Sequence, residues 1–123
     1  MILADTSVWI DHLHRSDAEV SEKLAEGVML MHPFVLGEIS LGSLRDRGRV
    51  LGNLQLLPMC HVADPDEILL FVDRNGLAGS GIGYVDAHLL ASTLVTRGSS
   101  LWTRDKRLNA VAMRLGIAAS VTN

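Results

Sequence analysis

Four isolated carboxylates stand in largely apolar surroundings along this chain. Asp5 follows the apolar run MILA, Asp105 follows SLWTR, Glu38 lies in FVLGEISLG and Asp86 lies in GIGYVDAHLL. Carboxylates gathered in one place repel each other and raise each other's pKa unless a cation joins them. All-oxygen ligation suits Mg²⁺ or Mn²⁺. The four residues are therefore candidate ligands of a hard divalent cation and candidate catalytic groups.

The chemistry that such a site would serve is phosphodiester hydrolysis. A divalent cation lowers the pKa of a bound water, neutralises charge on the phosphate and stabilises the leaving oxygen. The sequence is compatible with one ion or with two. The histidines show neither HxxxH nor HExxH spacing, so a zinc site is not expected.

The charge balance of the chain allows a nucleic-acid substrate once the four acids are set aside. The formal net charge is −3, from 14 acidic and 11 basic residues. Arginine, which binds phosphate through a planar fork, dominates the basic residues. Solvated helix ends are the alternative interpretation of its two clusters. The candidate RNA-binding residues are Arg45, Arg47 and Arg49 in one cluster, and Arg104, Lys106 and Arg107 in the other.

Predicted strands alternate with predicted helices, and this alternation must position the acids. The predicted strands cover residues 1–5, 28–32, 59–63, 100–103 and 117–121. The predicted helices cover residues 8–13, 16–27, 33–48, 50–57, 64–76, 84–98 and 105–116, the first of them capped by Thr6 or Ser7. The pattern predicts one α/β domain over 1–123, with a mainly parallel sheet between two layers of helices. Ligands collect beyond the carboxyl ends of such strands, where Asp5 and Asp105 fall.

Four segments in order resemble the acidic motifs of the PIN-domain family, most closely those of the VapC ribonuclease toxins of VapBC toxin–antitoxin modules. The segments are MILADTSVWIDHL, HPFVLGEISLG, GIGYVDAHLLAS and LWTRDKRL, and they span Met1 to about Gly116. The resemblance implies a three-layer PIN-like fold and an endoribonuclease that depends on Mg²⁺ or Mn²⁺. By position, it assigns the acidic quartet to Asp5, Glu38, Asp86 and Asp105, and the supporting hydroxyls beside the metal to Thr6 and Thr103.

The resemblance also implies partners: an RNA substrate, a small cognate antitoxin and a second copy of the chain in a homodimer. Neither the apolar runs nor the opening residues indicate a membrane span or a signal peptide. A cytoplasmic protein is therefore expected. Cys60 is the only cysteine and has no metal-binding spacing, which predicts a place in the core.

Other functions remain to be compared with this one. A PIN-domain nuclease of RNA processing or DNA repair would act without an antitoxin, and an antitoxin-like gene directly upstream would distinguish the two. A phospho-receiver domain needs an acidic pair after the first strand and an aspartate after the third. Asp5 has no acidic neighbour, and residues 50–63 contain no acid. A pure RNA-binding module is disfavoured because binding needs bases and not clustered acids.

Two further features have more than one interpretation. The glycine-rich segment GSGIG could be a flexible connection or a place where the RNA backbone approaches the acids. Trp9, Trp102 and Tyr84 could stack on bases, although both tryptophans are expected in the core.

Overall fold

In the computed structural model, which describes residues 1–121, three short parallel strands form the central sheet in the order β2-β1-β3. The strands are β1 (Ile2–Ala4), β2 (Met29–Leu30) and β3 (Ser100–Trp102). Ile2 is in register with Met29 on one side and with Ser100 on the other. Leu3 and Ala4 of the central strand are fully buried, as expected where helices cover both faces of a parallel sheet.

Helices cover the sheet in two layers. Within residues 1–121 they are α1 (Thr6–His14), α2 (Ala18–Ala25), α3 (Pro33–Ser40), α4 (Arg47–Leu54), α5 (Pro65–Arg74), α6 (Tyr84–Val95) and α7 (Lys106–Arg114). With this strand order, the right-handed rule for parallel crossovers assigns α1 to α4 to one face and α5 to α7 to the other. The contacts of α1 with α3, and of α5 with α6, follow this division. The predicted three-layer α/β class is confirmed.

The two edge strands of the prediction, 59–63 and 117–121, are wrong in extent. Each is reduced to one parallel bridge, which pairs Met31 with Met59 at one edge and Leu101 with Ala118 at the other. An edge segment has a neighbour on one side only, so fewer ladder hydrogen bonds hold it in the sheet. Each bridge still adds one paired residue, Met59 or Ala118, at an edge of the parallel sheet.

The helix predicted over 33–48 is also wrong, because the chain turns in its middle. α3 ends at Ser40, and α4 begins at Arg47. Asp46 has a φ of 50°, in the left-handed region that continues no right-handed helix. Leu41, the first residue after α3, is 88% exposed, so its side chain makes no core contact that would favour continuing the helix.

The core contains the residues that the sequence assigned to it. Trp9, Trp102 and Cys60 are all buried, and burial raises the pKa of the Cys60 thiol. Within residues 1–121, no helix combines the length and the apolar character that crossing a bilayer requires.

A buried histidine begins α3. His32 is fully buried, and its Nδ1 accepts a hydrogen bond of 2.9 Å from the Phe34 N–H. This cap leaves the hydrogen of the neutral ring on Nε2, which has no partner in the described part of the chain. Burial, together with repulsion from His88, lowers the pKa of His32 to about 4.

We expect His32 to make the protein less stable in mild acid. Between pH 6.5 and about 4 the unfolded chain binds a proton at this histidine and the folded chain does not. The free energy of unfolding should therefore decrease as the pH is lowered from 6.5 to about 4, by roughly 3 kcal/mol in total. His32→Asn keeps an acceptor for the Phe34 N–H and should flatten the pH dependence of urea unfolding. The control is His61→Asn, at an exposed histidine; an unchanged pH dependence in His32→Asn would contradict the prediction.

Candidate active site

Asp5 lies at the end of β1 and is the N-cap of α1. Its Oδ1 accepts hydrogen bonds from the Val8 N–H at 3.1 Å and from the Ser7 hydroxyl at 2.9 Å, and its Oδ2 accepts one from the Thr103 hydroxyl. The side chain is thus fully hydrogen-bonded, as a buried carboxylate must be. The expectation that Thr6 or Ser7 caps α1 is wrong, because the Asp5 carboxylate itself takes that place.

β3 brings a second carboxylate to the same edge of the sheet. Asp105 is the N-cap of α7, and its Oδ1 accepts a hydrogen bond of 2.9 Å from the Leu108 N–H. The Thr103 hydroxyl donates to Asp5 and accepts a hydrogen bond of 3.1 Å from the Asp105 N–H. It therefore joins the ends of two neighbouring strands whose connections leave in opposite directions. Such a switch point is where ligands bind in open parallel sheets.

Two helices supply the other carboxylates. Asp86 lies in the first turn of α6, and its Oδ2 accepts a hydrogen bond of 3.0 Å from the Gly83 N–H in a capping box. Its negative charge is favoured there by the helix dipole. Glu38 is on α3, and its Oε1 accepts a hydrogen bond from the Thr6 hydroxyl.

The structure brings all four carboxylates to one cavity of about 440 Å³. Burial, together with the negative charges of Asp5, Asp105 and Glu38, raises the pKa of Asp86, and the Gly83 hydrogen bond opposes this rise. The residues that line the cavity are Asp5, Thr6, Ser7, Glu38, Gly83, Tyr84, Val85, Asp86, Leu89 and Asp105. A cation in this cavity would relieve the repulsion among the acids.

The four acids offer oxygen donors without yet forming a closed cage. Glu38, Asp86 and Asp105 each keep one carboxylate oxygen that accepts no hydrogen bond from residues 1–121. In the same part of the chain, no three acidic, histidine or cysteine side chains converge closely enough to hold one ion. The donor chemistry suits Mg²⁺ or Mn²⁺, and the carboxylates would have to rotate toward the ion.

Ser7 and Gly83 also line the cavity, although the sequence suggested Ser7 only as a possible helix cap and Gly83 only as part of the glycine-rich segment. Ser7 donates to Asp5, and a hydroxyl two residues after a strand-end aspartate is the local signal that could have found it. Gly83 donates its N–H to Asp86, and the acid three residues later is the corresponding signal for a capping box.

The first arginine cluster lies apart from the cavity. Arg45, Arg47 and Arg49 are exposed around the turn between α3 and α4, and none of them is among the residues that line the acidic cavity. Arg49 pairs with Asp46 at 3.1 Å. The role of this cluster in RNA binding stays a prediction.

Arg104 of the second cluster is held within an ion-pair network. Its guanidinium lies 2.8 Å from a carboxylate oxygen of Asp11 and 2.6 Å from one of Asp17, and it stands 5.6 Å from the centroid of the Trp102 ring. The Val20 N–H and the Arg104 guanidinium hold the pKa of Asp17 below its usual value. The network ties the loop that carries Asp105 to α1 and α2, and the predicted RNA contact of Arg104 would have to compete with it.

Arg107 lies across the glycine-rich segment, and Lys106 beside it is exposed. A Cβ at Gly81 would come within 2.9 Å of the Arg107 side chain, and Gly81 has a φ of 83°. Glycine is needed there for the backbone conformation and for this contact. The segment leads directly to Gly83, which lines the cavity. Of the two clusters, Arg107 is therefore a basic residue that lies against the segment leading to the cavity, and its contact with RNA stays a prediction.

Comparison with known proteins agrees with this geometry. The family model of the PIN domain matches residues 2–113. The chain is 47% identical over 118 residues to "Ribonuclease VapC32" of Mycobacterium tuberculosis, in strain CDC 1551 / Oshkosh and in strain ATCC 25618 / H37Rv, and each match covers 96% of this chain and 95% of the relative. The resemblance to VapC-type PIN domains is thereby confirmed, and a phospho-receiver domain is excluded. This chain belongs to the PIN-domain family.

Proposed function

We propose that this protein is a metal-dependent endoribonuclease that acts as the toxin of a type II toxin–antitoxin module. The convergence of Asp5, Glu38, Asp86 and Asp105 on one cavity carries the proposal. The similarity to a ribonuclease named VapC32 supports RNA as the substrate and a small antitoxin as a partner. A second copy of the chain is a further expected partner.

The oxygen donors of the cavity would hold Mg²⁺ or Mn²⁺. When bound, the cation lowers the pKa of a water molecule and neutralises charge on the phosphate. Thr103 and Ser7 orient the Asp5 carboxylate through their hydroxyls. Asp86 and Asp105 stand at the first turns of α6 and α7. The positive ends of the dipoles of these two helices also attract an approaching phosphate, and this attraction opposes the repulsion between the phosphate and the acids.

The metal is tested by thermal unfolding of purified protein without RNA. Saturating Mn²⁺ binds the folded chain only, so it should raise the melting temperature, with a gain of about 2.7 kcal/mol at 100 times its Kd. Asp86→Asn should be more stable than wild type without metal, since it removes a charge that its neighbours disfavour. The same variant should lose most of the response to Mn²⁺.

Asp73→Asn, at an exposed aspartate of α5, is the matched control and should respond to Mn²⁺ as wild type does. A wild-type melting curve that millimolar Mn²⁺ leaves unchanged would contradict a shared metal site.

Cleavage and toxicity are tested with Glu38→Gln. The substitution keeps the size of the side chain and an acceptor for Thr6, and removes one charge from the cavity. Cleavage of RNA should fall by roughly 100-fold or more, because the metal would be held less well. Wild type expressed alone should arrest bacterial growth. The variant should be harmless and still capture the product of a short gene directly upstream.

Glu22→Gln, at an exposed position of α2, should remain toxic. A harmless wild type that captures no such partner would contradict the toxin assignment and favour a PIN-domain nuclease of RNA processing or DNA repair.

The contact between Arg107 and RNA is tested by salt dependence of binding in the Glu38→Gln background. Each phosphate contact to a single strand contributes about 0.7 to the slope of log K against log salt concentration. Arg107→Ala should reduce the slope by about this amount. Arg97→Ala, in the exposed turn beyond the far end of α6, should not change it. Equal slopes for the two variants would show that Arg107 is only a solvated residue.

A further inference from the structure

Tyr84 differs from the other exposed large hydrophobic residues of the chain. It is 54% exposed, and it is the only one of this set, within residues 1–121, that lines the acidic cavity. It is the first residue of α6 and stands two residues before Asp86. The two tryptophans, which could also have stacked on bases, are buried. An aromatic ring is therefore presented to solvent beside the carboxylates.

The ring packs against a column of three other rings, of which the two histidines are buried and Phe34 is half-buried. His88, one helical turn further along α6, meets Tyr84 edge to face with 4.7 Å between ring centroids. Phe34 meets His88 at 4.7 Å, and His32 meets Phe34 at 5.1 Å. His88 is 2% exposed, and neither of its ring nitrogens has a hydrogen-bond partner in the described part of the chain. It therefore contacts its neighbours through its ring faces and edges, and the contact with Tyr84 restricts the Tyr84 ring.

A nucleobase is the ligand that suits such a ring. The acids surrounding the cavity repel an anionic group unless a cation is bound, whereas a base is flat and neutral. Base–aromatic stacking tolerates any sequence, because every base has a π-face. A ring that is already held in place loses little conformational freedom when a base stacks on it.

We propose that Tyr84 is the stacking platform for an unpaired base adjacent to the phosphate that enters the acidic cavity. The proposal rests on the proposed ribonuclease function and adds the side chain that would position the RNA at the carboxylates. Bases inside a duplex are already stacked on each other and are not free to bind this ring. Tyr84 should therefore contribute to the binding of single-stranded RNA and not of a duplex, and it should help to set which phosphodiester lies at the carboxylates.

Binding is measured with a short single-stranded RNA of mixed sequence in the Glu38→Gln background. Tyr84→Ala should weaken binding by about tenfold, which corresponds to loss of one stacked base. Tyr84→Phe should bind as the parent does, because stacking does not need the hydroxyl. Val95→Ala, at the exposed far end of α6 about 16 Å away, is the control. The duplex of the same RNA should bind Tyr84→Ala and its parent equally.

A second measurement reports the stacking itself. The fluorescence of Tyr84→Trp should be quenched by the RNA and not by inorganic polyphosphate, whereas that of Val95→Trp should respond to neither. Equal binding by Tyr84→Ala and Val95→Ala, or equal quenching of Tyr84→Trp by polyphosphate, would overturn the proposal.

The two proposals fail separately. A wild type that cleaves no RNA would contradict the ribonuclease function. The quenching of Tyr84→Trp would still show whether a base stacks at this position. If the wild type cleaves RNA and Tyr84→Ala binds RNA as its parent does, only the stacking role of Tyr84 is contradicted.

Discussion

Repulsion among four carboxylates in one cavity is the constraint on which this structure depends. Each acid accepts a hydrogen bond: Asp5, Asp86 and Asp105 from a backbone N–H within three residues, and Glu38 from the Thr6 hydroxyl of another helix. Asp5 and Asp105 cap α1 and α7, and Asp86 completes a capping box at the start of α6. Each cap stabilises a helix as well as a charge. The acids therefore stabilise the fold. Replacing a capping acid with a residue that cannot accept its hydrogen bond would destabilise the helix as well as alter the cavity.

Two arginines near the cavity have different structural roles. Arg104 is engaged with Asp11 and Asp17, so its charge serves to position the loop between β3 and α7. Arg107 has no such ion pair in the described residues and lies over the glycine-rich segment. In a chain with net charge −3, the two arginines thus differ: one neutralises acids within the fold, and the other leaves its charge exposed near the segment that leads to the cavity.

The aromatic column has a second consequence for the cavity. It runs from His32, which caps α3, to His88 on α6, and so it packs together the two helices that carry Glu38 and Asp86. The relative position of these two helices thus depends on contacts among uncharged rings, two of which are buried histidines. Neutral histidines suit this place because a protonated ring would be buried without a partner.

The sequence by itself determined the α/β class, the order of most elements and the identity of the four acids. These rest on local patterns: apolar runs, caps and glycines, and isolated charges in apolar segments. The tertiary structure decided what depends on distant contacts. Arg104 meets partners 93 and 87 positions away, and the edge strands are limited by having one neighbour each. It also decided that Tyr84, and neither tryptophan, faces the cavity, because burial depends on which layer of the fold covers a side chain.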